Sequence, residues 1–157
     1  MLSQTTGYAV SALAFVAAAG SRPVLVREIA AALALPPPYL AKIVNSLGRR
    51  GLVTTQRGIG GGVHLARPAA EISIWDLCAA LDDPAIQARC LLALDGCSDE
   101  GACPAHEVWK AQREALWAFL KTTSLADIAA FEARRGRVPL AHGAAAAPGA
   151  GRPGPGR

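Results

Sequence analysis

Apolar side chains run almost unbroken through residues 7–19, a pattern that predicts a helix buried on most of its sides and closed by Gly20 and Pro23. A second helix fits residues 26–33, where Val26, Ile29, Ala30 and Leu33 take the i, i+3, i+4 and i+7 positions of one face. Pro36, Pro37 and Pro38 then break the chain. Proline is best tolerated in the first turn of a helix, so a third helix is expected over about residues 39–50. Its apolar stripe is Leu40, Ile43, Val44 and Leu47, which leaves Ala41, Lys42, Asn45, Ser46 and Arg49 facing the other way. Gly51 stops it.

Two short helices across a tight break, the second presenting cations and amides, form a candidate helix-turn-helix. An ordinary amphipathic pair would look similar, but the next stretch, "LVTTQRGIGGGVHLARP", reads as strand, glycine-rich hairpin and strand. A hairpin directly after a recognition helix is a wing. Gly58, Gly60, Gly61 and Gly62 supply its turn geometry, and Arg57 stands where a long cation can enter a minor groove or meet a phosphate. The glycines do not form a phosphate-binding P-loop, because the Lys-Ser/Thr pair is missing and a strand follows instead of a helix. The candidate DNA-contacting residues are Tyr39, Lys42, Asn45, Arg49, Arg57 and Gly60.

Past Pro68, "SIWDLCAAL" carries an N-capping box at Ser73 and Asp76 ahead of an apolar face of Ile74, Leu77, Cys78 and Leu81. Cys78 on that stripe reads as a small buried hydrophobe. A long helix is expected over about residues 104–121, with Val108, Ala111, Ala115 and Phe119 on one strip, widened by Trp109, Leu116 and Leu120. That is more apolar width than a thin surface helix needs, so part of it is expected to meet another subunit. The expected fold is mainly α with a small β wing. A winged helix-turn-helix occupies residues 1–82, a cysteine loop and dimerisation helix residues 83–135, and a disordered, Gly/Ala/Pro/Arg-rich tail residues 136–157.

Charge sharpens this picture. Residues 1–70 hold seven bases (Arg22, Arg27, Lys42, Arg49, Arg50, Arg57 and Arg67) against the single acid Glu28, whereas residues 71–130 hold ten acids against four bases. A basic front half points to a polyanion partner, here double-stranded DNA, with a solvated charged face as the plainer alternative. The longest apolar run, residues 9–19, is interrupted by Ser11 and falls short of the ~20 residues that span a bilayer. No Lys or Arg precedes Arg22, so the basic start of a secretory signal is absent as well. No membrane association is expected, and the cytoplasm is the expected compartment.

In that compartment thiols stay reduced, so gathered cysteines point to metal or redox chemistry before a disulfide. Three of the four cysteines, Cys90, Cys97 and Cys103, lie in one stretch with His106 just beyond. Six and five residues separate the thiols, loose for a zinc knuckle and better suited to an iron-sulfur cluster, although zinc, a bare thiol redox switch and no chemistry at all stay open.

The order of "LSQTTGYAVSAL", "REIAAALALPPPYLAKIVNSLGRRGLV", "RGIGGGVHLARP", "ISIWDLCAAL" and "CPAHEVW" resembles the winged-helix bacterial transcription regulators that include IscR and NsrR, over roughly residues 1–130. The resemblance implies a homodimer with crossing C-terminal helices on a palindromic operator, and no enzyme or small-molecule substrate. It also implies Cys90, Cys97 and Cys103 as ligands of an iron-sulfur cluster, 2Fe-2S before 4Fe-4S, sensing iron, redox state or nitric oxide, with a repressor the expected sense of control. For the fourth ligand, some relatives place an acid just before the N-terminal tyrosine, where this chain has Gly7, and others a histidine where His106 stands. The rival classes are a small iron-sulfur electron carrier or cluster-assembly accessory protein, a regulator using its thiols without a cluster, and a regulator that senses a small molecule.

Overall fold

The computed structural model describes residues 2–88, 92 and 99–136. Its helices are α1 (Gln4–Ala18), α2 (Val26–Ala32), α3 (Pro37–Arg49), α4 (Ile74–Ala80), α5 (His106–Thr122) and α6 (Leu125–Arg134), with strands β1 (Val53–Gln56) and β2 (Gly62–Leu65) between α3 and α4. Helix α1 starts earlier than its apolar run because Ser3 caps it, accepting from the Thr6 amide at 3.2 Å. Helix α3 likewise starts at Pro37, so the prolines are its first turn and Pro36 is its N-cap.

The main core gathers around α1. Leu13, Ile29, Leu40, Leu47, Ile72, Leu77 and Leu125 are fully buried, and the expected α3 stripe of Leu40, Ile43, Val44 and Leu47 faces inward as a set. A smaller cluster, Ile74, Cys78 and Leu120, glues α4 to α5. Cys78 is a buried core residue, its thiol pushed up to about 11 by burial and then by the nearby Asp83 charge.

Helix α6 was not anticipated: the sequence reading ended helical structure near Lys121. The chain instead turns at Thr123 and sends α6 back across α1, burying Leu125 completely and Ile128 and Ala129 in part. Its start mirrors that of α4. Ser73 with Asp76 and Ser124 with Asp127 each form a reciprocal capping box. The two starts lie side by side in an antiparallel bridge, in which the Ile74 amide donates to Thr123 O at 3.0 Å and the Leu125 amide to Ile72 O at 2.7 Å.

Asp83 fastens the segment after α4 to the beginning of α1. It is 1% exposed and accepts from the Ser3 amide at 3.0 Å and the Ala85 amide at 2.8 Å. Burial works against its ionisation, but hydrogen bonds from the Thr6 hydroxyl, the Ala85 amide and Ser3 outweigh it and hold the carboxyl below its ordinary range. A depressed carboxyl stabilises the fold fully above the ordinary carboxylate range and loses that contribution as pH falls through its folded value. Asp83→Asn is therefore expected to lower stability by about 1–3 kcal/mol at neutral pH. In urea titrations between neutral and acid pH, the variant should also lack the part of the acid sensitivity that Asp83 gives the wild type. Equal pH slopes would remove Asp83 from that role.

Candidate nucleic-acid interface and thiol turn

Helix α3 packs its stripe inward and so presents Lys42, Asn45 and Arg49 to solvent, with Ala41 and Ser46 half-buried beside them. Arg49 Nη2 donates to Ser46 Oγ at 3.1 Å, which steadies the guanidinium along the helix. Tyr39 differs from the others. Its hydroxyl lies 3.0 Å from Thr5 Oγ1 and its ring meets Tyr8 edge-on at 6.1 Å, so it anchors α3 to α1.

The wing is built as the sequence implied. Strands β1 and β2 pair antiparallel in the register Val53 to Leu65 and Gln56 to Gly62. Val24 and Val63 exchange two backbone hydrogen bonds, at 3.1 and 2.8 Å, tying the wing to the residues before α2. That close approach demands glycine: a Cβ on Gly62 would lie 2.9 Å from the Val24 backbone, and one on Gly61 would collide with the Gln56 carbonyl. Gly60, with φ +77, turns the exposed tip and leaves the backbone open to a ligand. Arg57 is exposed on the rising limb of the wing. Between wing and α2 runs a groove of about 790 Å³ that Arg22, Arg27 and Arg57 line together. Sequence reasoning counted Arg22 and Arg27 in the basic balance but did not place them beside the wing. Their signal was a cation on either side of the β-bridge residue Val24.

At the other end of the molecule, α5 begins at His106, two residues later than Pro104, because a turn from Cys103 to His106 leads into it. The His106 amide donates to Cys103 O at 2.9 Å. Cys103 is a half-buried free thiol, and His106 is 2% exposed with Nε2 2.8 Å from Asp99 Oδ1. Asp99 also accepts from Lys110 Nζ at 2.8 and 3.1 Å. The Lys110 hydrogen bond first, and that of His106 second, hold the Asp99 carboxyl below its ordinary range, and Asp99 in turn raises Lys110. Asp99 and Glu107, which sequence reasoning did not single out, bring oxygens within 4.8 Å of each other and of a His106 nitrogen. Cys90, Cys97 and the tail beyond residue 136 lie outside the described residues.

A family model described as Rrf2, iron-dependent transcriptional regulator, matches residues 2–130. The chain belongs to the Rrf2 family. It is 31% identical over 122 residues to the HTH-type transcriptional regulator IscR of Serratia proteamaculans, covering 77% of this chain and 74% of that one. Solved structures agree. CymR, described as the global cysteine regulator of B. subtilis, superposes with a TM-score of 0.71 at 28% identity, covering 83% of this chain and 97% of that one. T. potens IscR superposes with a TM-score of 0.65 at 26% identity, covering 89% of this chain and 93% of that one. This Rrf2 protein is thus a DNA-binding transcriptional regulator with a winged-helix fold, and its relatives are regulators, not enzymes. Among the described residues no helix is long and apolar enough to cross a membrane.

Proposed function

We propose that this Rrf2 protein is a homodimeric regulator, acting in the cytoplasm as a repressor, whose affinity for a palindromic operator is set by an iron-sulfur cluster. Cys90, Cys97 and Cys103 would hold the cluster, a 2Fe-2S centre in preference to 4Fe-4S, with His106 as the fourth ligand. The observation that carries the reading is the pairing of a free Cys103 thiol with a buried, carboxylate-oriented His106 in a single turn at the foot of α5. A carboxylate on one ring nitrogen is the usual device for aiming a ligating imidazole, and thiolate with imidazole is a donor set that suits iron. The cluster would supply an oxidisable centre that iron supply, redox state or nitric oxide can alter. The chain's own part is mechanical: Cys103 and His106 belong to the start of α5, so holding or releasing them orders or frees that helix end.

The work divides along the chain, with residues 1–82 contacting DNA and residues 83–135 sensing and dimerising, while α6 returns to the first part. Purification without oxygen, followed by iron and sulfide analysis and mobility shifts of loaded and stripped protein on its own promoter region, tests the reading. Stoichiometric zinc, or identical operator affinity in both states, would overturn it.

A thiol switch without a cluster is the second reading, favoured by the likeness to a cysteine regulator that has also been solved in an oxidised form in Staphylococcus aureus. For DNA binding itself, Lys42→Ala and Arg57→Ala are each expected to reduce the salt slope of operator affinity by about one unit, the signature of one lost phosphate contact. Fluorescence anisotropy across a potassium chloride series reads this directly. Unchanged slopes for both variants would move the interface elsewhere.

A further inference from the structure

A cleft of about 360 Å³ opens between α5 and the turn at residues 84–86, lined by Pro84, Ala85, Trp109, Arg113 and Leu116. It is separate from the wing and from the Cys103 turn. Its walls are apolar apart from two glutamines at the edge, Gln87 and Gln112, and the guanidinium of Arg113. That guanidinium is anomalous. Its Nε and Nη1 are buried and find no hydrogen-bond acceptor among the described residues. The guanidinium lies over Trp117, 5.5 Å from the centre of its ring, while the Trp117 indole donates to Ala85 O at 2.9 Å. Arg113 as a whole is half-buried, but a buried donor without an acceptor is rare enough in folded proteins to require an explanation.

We propose that this cleft binds a small monocarboxylate, whose anionic end supplies the acceptor that Arg113 lacks. The volume, about a dozen water molecules' worth, lies at the lower end of the range for small-ligand sites, and apolar walls with one charge suit an acid bearing a short aliphatic or aromatic body. Because Nε and Nη1 are closed off from solvent, occupation of the site includes a turn of the guanidinium toward the entering carboxylate. The occupied site would clamp α5 to the residue 84–86 turn, which Asp83 in turn fastens to the start of α1. Organic-acid binding is thereby a second input to the regulator, independent of whether the thiols hold a cluster.

Tryptophan emission of the full-length protein tests this, because Trp109 lines the cleft and Trp117 carries the guanidinium. The probes are monocarboxylates from acetate to octanoate and phenylacetate, each beside its uncharged amide. The expected result is a saturable change with at least one acid and none with its amide. Arg113→Gln should weaken the binding roughly tenfold to a hundredfold, the range for a lost charge-assisted hydrogen bond. Gln112→Leu, which removes the polar group at the exposed side of the cleft and fills it with an apolar side chain, should alter the response measurably if Arg113→Gln fails to fold, and an unchanged response would count against this cleft as the site. No saturable change up to about 10 mM, or equal responses to acid and amide, would overturn the proposal. So would an Arg113→Gln variant that falls apart into monomers while no acid binds the wild type, since that outcome assigns the guanidinium to a carboxylate of a second subunit.

Discussion

Cys103→Ala, purified without oxygen, is expected to lose essentially all bound iron and sulfide together with its visible absorbance, whereas Cys78→Ala should keep the wild-type content. The contrast follows from surroundings. Cys103 is a half-buried free thiol in the turn that leads into α5, next to His106. Cys78 is sealed between α4 and α5, and burial followed by the Asp83 charge pushes its thiol up to about 11, which disfavours the thiolate that a metal needs. Cys90→Ala and Cys97→Ala should behave like Cys103→Ala. His106→Ala is expected to fall between, since three thiolates can hold a cluster whose fourth position is taken by water. Equal cluster content in Cys78→Ala and Cys103→Ala preparations, at the wild-type level, would remove the thiol turn from the chemistry.

A comparably large effect is expected on assembly. Val108, Ala111, Ala115 and Phe119 lie along one exposed side of α5, with Val108 65% and Phe119 55% exposed, opposite the side that buries His106 and Leu120. Single apolar residues on a surface are ordinary, but a row spanning the length of a helix marks a surface that meets something. In the proposed homodimer that something is the same strip of the second chain. The double variant Val108→Glu, Phe119→Glu would set like charges against each other there. It should sediment as a monomer, retain its melting transition because neither side chain belongs to the core, and lose operator affinity on the order of a thousandfold as the second half-site is no longer tethered. A variant that stays dimeric would place the interface on another face.

Much of this was legible from spacing. The α3 stripe, the wing and the Ser73–Asp76 box rest on local rules, and local rules are what a sequence displays. Helix α6 shows where that ends. Ser124 and Asp127 repeat the capping signature of Ser73 and Asp76, yet the helix behind them is only ten residues long and gains its stability by lying across α1, a contact between chain ends that no periodicity encodes. Tyr39 illustrates the same limit at the interface. Its place at the start of the candidate recognition helix allowed either DNA contact or positioning of that helix, and only the fold reveals its Thr5 and Tyr8 partners. The Arg113 cleft was illegible for a related reason, because a missing hydrogen-bond acceptor exists only once the surroundings are assembled.

The bridge between the starts of α4 and α6 gives α5 one fixed end. Thr123 and Leu125 are bonded to the backbone on either side of Ser73, so the helix leaves the winged-helix head from a bolted joint, and its 17 residues carry the Cys103 and His106 end roughly 25 Å away. Such a helix is a lever with its fulcrum in the head. A tilt of about 5° moves the far end by about 2 Å over that length. Conversely, if the two α5 helices of the proposed dimer are clasped together, the same tilt swings each head as one rigid piece, since α4, α6 and α1 share a core. Control would then be exerted on the distance between two recognition helices and not on the shape of either, and loosening the joint at Ser73 or Ser124 should uncouple sensing from DNA binding while leaving both intact.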